Sequence, residues 1–265
     1  MYETPRPGWL LREFGNQRGE GVSVGVVDSG WDYSNQSARV CSGINFVSEG
    51  KEPRIPNADE CQDRIGHGTI CTDLILRVVP AATVIPLRIF GTRYRANLET
   101  VIRAIEYASD SRISILSLSL STLQADCVHR LYRACARATS NGVVIVASAF
   151  GSQNLPGGPA AFEPVIGVGV FPFNGVLQFD YRRGEAIEFV ASAPSHAARG
   201  LGGHLLRVWP QASYSTATIT GLAALLRARF PSASYLEIRR NLANLAHLTN
   251  PWASSLTSLD RECRS

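Results

Sequence analysis

Val22-Ser-Val-Gly-Val-Val-Asp-Ser-Gly30 is the stretch on which the fold turns. Its valines stand at adjacent and alternate positions, so an extended chain here shows apolar side chains on both faces. That is the pattern of a strand covered on both sides, as in a parallel sheet. Asp28-Ser-Gly30 then breaks the run as a turn, leaving a carboxylate at the strand's carboxyl end.

Outward from this strand, the pattern repeats with helices in between. Residues 35–65 are turn-rich, with a short strand near 44–47. From 66 to 79 the apolar residues Ile70, Leu74, Ile75 and Val78 recur at helical spacing, and Pro80 stops the helix. Residues 83–90 read as a second buried strand. Asn97 is placed to cap a helix whose apolar face is Val101, Ile102, Ile105 and Ala108. A strand at 113–120, a helix at about 124–140 and strands at 143–149 and 165–170 follow. Residues 187–191 and 204–208 read as short strands, 213–230 as a helix stopped by Pro231, and about 234–247 as a last helix. Strands alternating with helices predict a three-layer α/β fold: a mostly parallel sheet with helices on both faces. The Pro- and Gly-rich segment 150–159 reads as a loop between strands, and the expected organisation is a single domain over 1–265.

The composition agrees. The chain has 265 residues, 45% hydrophobic and 18% charged, which is globular rather than disordered. No apolar run is long enough to span a membrane. The start, Met-Tyr-Glu-Thr-Pro-Arg-Pro, lacks a signal-peptide pattern, so a cytoplasmic location is expected. The net charge is +4, and Lys51 is the sole lysine among 26 basic residues. Arg182-Arg183 and Arg239-Arg240 read as solvated surface, so neither nucleic acid nor membrane is expected as a partner. Cys41, Cys61, Cys71, Cys127, Cys135 and Cys263 form no CxxC pair, so no zinc site is expected; no other metal ligand set is assigned, and no cofactor is expected. Free thiols are the plain reading. A Cys41–Cys61 bridge, or a thiol beside a functional site at Cys71, are the alternatives.

Chemistry-bearing residues fall at element ends. Asp28 ends the first strand, His67 opens a helix in Gly66-His-Gly-Thr69, and Ser213 opens the long helix. Ligands bind at the carboxyl ends of strands in such sheets. A serine hydroxyl becomes a nucleophile only beside a base, and the base needs a group that fixes its tautomer. Serine at a helix N-terminus also has free N–H groups and the helix dipole beside it, which favour an oxyanion.

Together these motifs resemble the subtilisin-like serine proteases of peptidase family S8. Val24-Gly-Val-Val-Asp-Ser-Gly30 looks like the family's aspartate motif and His67-Gly-Thr69 like its histidine motif. Ser213-Tyr-Ser-Thr-Ala-Thr-Ile-Thr-Gly-Leu-Ala-Ala-Leu-Leu226 resembles its serine helix. The order Asp, His, Ser is the subtilisin order, and the likeness runs from about Gly21 to Ala246. It implies a serine endopeptidase in which Asp28 orients the base, His67 is base and then acid, and Ser213 is the nucleophile. Ser119, Leu120 and Ser121, on a stretch resembling the family's substrate-bearing edge strand, would take a peptide or protein substrate in extended form. The closest pattern is that of compact bacterial intracellular members, with no recognisable prosegment or signal peptide.

Two departures stand out. Gln211 and Ala212 replace the usual glycine and threonine before the serine. Where the family places an oxyanion-holding asparagine, alignment on the strand puts Gly151, alignment on Pro159-Ala-Ala-Phe162 puts Ser152, and Asn154 fits only a rearranged loop. With the Ser213 N–H these are the oxyanion candidates. Losing one such donor costs ~10²–10³ in rate, a magnitude measured on subtilisin itself. The expectation is a slow or selective enzyme, cutting a peptide precursor or working with an accessory protein. The alternative is a catalytically silent member that binds peptides as a partner or regulator. An esterase is disfavoured, because no Gly-x-Ser-x-Gly elbow occurs and the acid precedes both other members.

Overall fold

The computed structural model describes residues 6–47, 61–175, 177–193 and 197–249. Lys51, Cys263 and the side chain of Cys127 lie outside the described residues. An eight-stranded sheet organises the chain, in the order β2-β3-β1-β4-β5-β6-β8-β7. Its strands are β1 (Ser23–Asp28), β2 (Ile44–Asn45), β3 (Thr83–Arg88), β4 (Ile115–Leu118), β5 (Val144–Ser148), β6 (Ile166–Val170), β7 (Phe179–Tyr181) and β8 (Phe189–Ala191). Every pairing is parallel except β7 with β8. A separate antiparallel hairpin joins β9 (Ala197–Arg199) to β10 (Leu205–Arg207).

The continuous apolar runs divide as a doubly covered sheet requires. Val24, Val26, Val144 and Val146 pack in one cluster with α2 (His67–Val78), α5 (Ala212–Arg229) and α6 (Tyr235–Thr249). Val27, Leu116, Ile145 and Ala147 pack in another with α3 (Leu98–Asp110) and α4 (Ala125–Ser140). The three-layer α/β reading therefore stands. Asn97 caps α3 as expected, its side chain accepting from the Thr100 N–H at 2.8 Å. A short helix, α1 (Gly8–Phe14), buries Leu10 and Phe14 on the α5 side. It was not anticipated, nor were β7 and β9, because two or three apolar residues give no readable period.

α5 is the central helix. Every residue from Tyr214 to Arg227 is buried. Its small and apolar residues leave no polar face, which is how a helix enclosed on all sides reads. The serine and threonine hydroxyls buried within it are satisfied: Ser215 donates to the Ala191 carbonyl (2.6 Å), Thr218 to that of Ser192 (2.5 Å), Thr216 to that of Ala212 (2.8 Å) and Thr220 to Ser117 Oγ (3.2 Å).

One expectation changes. β4 is an interior strand, flanked by β1 and β5, rather than an edge. The ladder ends at Leu118, paired with Ala147. Ser119, Leu120 and Ser121 continue past it as non-sheet chain. Among the described residues their backbone groups bond to no other segment.

Candidate active site

The chain order of strands places a reversal at β1. From β1 the chain goes to β3 on one side and later to β4 on the other. The crevice above such a reversal is where open parallel sheets hold ligands. Asp28, the last residue of β1, stands at its foot and is fully buried.

His67 begins α2 and turns its Nδ1 onto the Asp28 carboxylate, 2.9 Å from both oxygens. Asp28 also accepts the Ser29 N–H at 2.7 Å. Burial disfavours the imidazolium, but the charge of Asp28, with smaller contributions from Cys71, holds the His67 pKa well above its ordinary 6.5. Cys71, one turn on and fully buried, puts its Sγ 3.8 Å from His67 Nδ1 and 3.6 Å from Ser119 Oγ. Burial pushes that thiol's pKa up.

The approach of α2 to β1 depends on Gly68. A Cβ there would lie 2.4 Å from the Gly30 carbonyl oxygen, so any side chain would push the helix away. Gly68 N–H instead donates to Ser29 Oγ at 2.9 Å. Thr69 completes the motif as a bolt. Its hydroxyl donates to Asp63 at 2.7 Å and accepts from the Asp32 N–H at 3.0 Å.

Asp63 and Asp32 are supports that sequence reasoning missed. Asp63 is buried and accepts the N–H groups of Ile65, Gly66 and Thr69 at 2.8–2.9 Å, tying down the start of α2. An aspartate just ahead of a helical period was the available signal. Asp32 accepts from Ser34, Gln62 and Gly202 at 2.6–3.1 Å, which clips the β9–β10 hairpin to the aspartate loop. Burial raises the Asp32 carboxyl, but the hydrogen bonds from Gln62, Gly202 and Ser34 outweigh it and hold its pKa below the usual range.

Ser213 sits in the first turn of α5, partly exposed. The next residue, Tyr214, stacks on the His67 ring with centroids 5.8 Å apart. The start of α5 and the imidazole are thereby neighbours. Among the described residues, the side-chain hydrogen-bond partners of His67 are Asp28 and Cys71, and Ser213 Oγ is not one of them. The N–H groups of Tyr214 and Ser215 both bond to the Gln211 carbonyl, whereas that of Ser213 has no such acceptor.

The oxyanion candidates separate. Gly151 and Ser152 lie exposed in a tight turn closed by reciprocal backbone bonds between Phe150 and Leu155. Asn154 turns its carboxamide to β6, donating to the Val170 carbonyl (2.9 Å) and accepting its N–H (2.7 Å). A cavity lined by Gln153, Asn154, Pro156, Arg182, Glu185 and Ile187 opens beside this turn, but neither His67 nor Ser213 belongs to its walls.

Asp28, His67 and Cys71 bring their donor atoms within 4.8 Å of one another, a set with metal-ligand chemistry. Cys41, Cys61, Cys71 and Cys135 are free thiols, so the Cys41–Cys61 bridge is not formed. No helix among the described residues is long and apolar enough to cross a membrane.

The model of the subtilase family matches residues 19–261. The chain belongs to the subtilase family. This subtilase is 25% identical over 250 residues to subtilisin DY of Bacillus licheniformis, covering 86% of this chain and 85% of that one. It is 26% identical over 267 residues to subtilisin BL of Lederbergia lenta, covering 93% and 92%. Among solved structures, the S41 psychrophilic protease matches with a TM-score of 0.73, 21% identity and coverage of 90% and 89%. A lanthipeptide protease matches at 0.65, with 18% identity and coverage of 86% and 81%. These structural likenesses carry the fold. The family and the curated relatives make this subtilase a subtilisin-like serine protease.

Proposed function

We propose that this subtilase cuts peptide bonds through an acyl-enzyme formed on Ser213. In this reading His67 takes the Ser213 proton and returns it to the leaving amine, while Asp28 holds the Nδ1–H tautomer and favours the imidazolium. One observation carries it: the buried Asp28–His67 contact at 2.9 Å, with the start of α5 stacked against the same ring through Tyr214. The open N–H of Ser213 is one oxyanion donor, with Gly151 or Ser152 supplying the second. The free backbone of 119–121 would pair with an extended substrate.

The substrate is a specific peptide precursor, such as one carrying a leader segment, cut slowly or selectively within the cytoplasm. Gln211, an exposed residue with a side chain two positions before Ser213 where the family carries glycine, and the commitment of Asn154 to Val170 support a restrained enzyme. The four free thiols fit a reducing compartment. The likeness to a lanthipeptide protease is compatible with precursor processing. The whole chain is read as one catalytic domain.

The test is Ser213→Ala. Cleavage of a quenched-fluorescent peptide pool should vanish while the unfolding temperature stays within a few degrees. An unchanged rate would overturn the assignment. A second reading, a peptide-binding member without catalysis, draws on the missing Ser213–His67 hydrogen bond. A fluorophosphonate adduct on Ser213, weighed by intact mass, excludes it; no adduct on well-folded protein favours it.

A further inference from the structure

His67 is enclosed by side chains that the triad chemistry does not use. The Tyr214 ring lies nearly parallel to the imidazole, at 28° and 5.8 Å between centroids. Tyr94 meets the same ring edge-on, at 86° and 5.4 Å. Tyr94 rests in turn on Phe90, at 5.8 Å and 61°, which anchors it just past the end of β3. The two tyrosines differ in kind: Tyr214 is 7% exposed, whereas Tyr94 is 57% exposed on the surface loop before α3. Yet His67, a residue that must meet substrate, is only 8% exposed.

Asp28 alone does not fix the imidazole. Its two oxygens both lie 2.9 Å from Nδ1, a single point of attachment about which the ring can rock. The outer torsion of histidine is broad and has no sharp staggered wells. A parallel partner and an edge-on partner together oppose both rocking and rotation. Cys71 fills a further side at 3.8 Å.

We propose that Tyr94 and Tyr214 are positioning residues that hold the His67 imidazole in its Asp28-facing orientation and shield it from bulk water. This rests on the reading of His67 as the base, but it concerns the ring's setting and not the nucleophile. Aromatic pairs at these separations are attractive beyond the area they bury. Aromatic faces also favour a cation within about 6 Å, and the imidazolium formed during acyl transfer is such a cation. Both phenols stay neutral while this happens: burial raises the pKa of Tyr214, and the covering of Tyr94 on its His67 and Phe90 sides raises that of Tyr94 as well.

The experiment has two arms on the full chain. In a Ser213→Ala background, ring-labelled histidine is followed by NMR, and exchange of the His67 Nδ1 proton with water is timed. Tyr94→Ala and Tyr214→Leu should each speed that exchange by about tenfold, the worth of one aromatic pair. Tyr94→Phe and Tyr214→Phe, which keep the ring and lose the hydroxyl, should exchange as slowly as the parent. In the active protein, cleavage of the peptide pool should show kcat falling about tenfold in Tyr94→Ala, with KM nearly unchanged and kcat restored in Tyr94→Phe. Tyr214 is in the core, so circular dichroism accompanies its variants. Tyr94 is exposed, and its Ala variant decides the matter even where Tyr214→Leu does not fold. Parental exchange and kcat in Tyr94→Ala would overturn the proposal, as would Phe variants that behave like the Ala variant. Cleavage that survives Ser213→Ala would remove the catalytic reading instead, and the proton-exchange arm still reports on the clamp.

Discussion

At the scale of single residues, the site is governed by one buried ion pair. His67 reaches Asp28 where burial alone would strip its proton, and the carboxylate charge reverses that balance. In the proposed mechanism His67 is the base, and a base works only when neutral. Activity should therefore rise as pH climbs through a His67 pKa lying above 6.5, and the acid limb of a kcat/KM profile measures it. A limb centred below 6.5 would contradict the pairing. The same shift bears on stability with a defined sign. A folded-state pKa above the unfolded value stabilises fully below about pH 6.5 and loses that stabilisation as pH rises through the folded value. Denaturant melts of the parent and His67→Ala should therefore converge as pH rises across that window. Asp28→Asn keeps the shape but loses the charge and the tautomer control, and kcat should drop by about 10⁴-fold.

At the scale of elements, α2 is set by its first turn. Asp63 accepts four hydrogen bonds there, three from backbone N–H groups and one from Thr69 Oγ1. Asp63→Ala leaves these donors buried without a partner, and should cost about 2–4 kcal/mol in urea melts while misplacing His67. α2 also crosses α5 closely: a Cβ at Gly221 would lie 2.5 Å from Val78 Cβ. Gly221→Ala should destabilise by about 1–3 kcal/mol through overpacking, read in the same melts. The long elements were legible because their signals are local. Pro80 and Pro231 mark helix ends, Asn97 marks a start, and the apolar period of 66–79 is helical. The short ones were not. β9 and β7 exist because neighbours pair with them, and three residues carry no period of their own. Asn154 shows the same limit inside a loop. Its residue type suggested an oxyanion donor, and the fold of the 150–155 turn spends its carboxamide on Val170 instead.

At the scale of the whole molecule, two apolar clusters lie on opposite faces of one sheet and share its strands. Neither survives without the other, because β1, β4 and β5 send alternate side chains into each. Unfolding should be a single cooperative transition, with calorimetric and van't Hoff enthalpies in agreement. Two separated transitions would argue against a one-domain chain.

The order of the long elements and the doubly covered sheet were written in the amino-acid string, and so were the three motifs on which the proposed triad rests. Each depends on residue type and on spacing along a single element, and strand and helix periodicity are local properties. Which groups touch was not. The Asp28–His67 contact, the Asp63 and Asp32 anchors, the interior place of β4 and the tyrosines around His67 join segments from distant parts of the chain. Such contacts arise only when burial of a shared core brings those segments together, and no pattern within one segment encodes its partner's distance or angle.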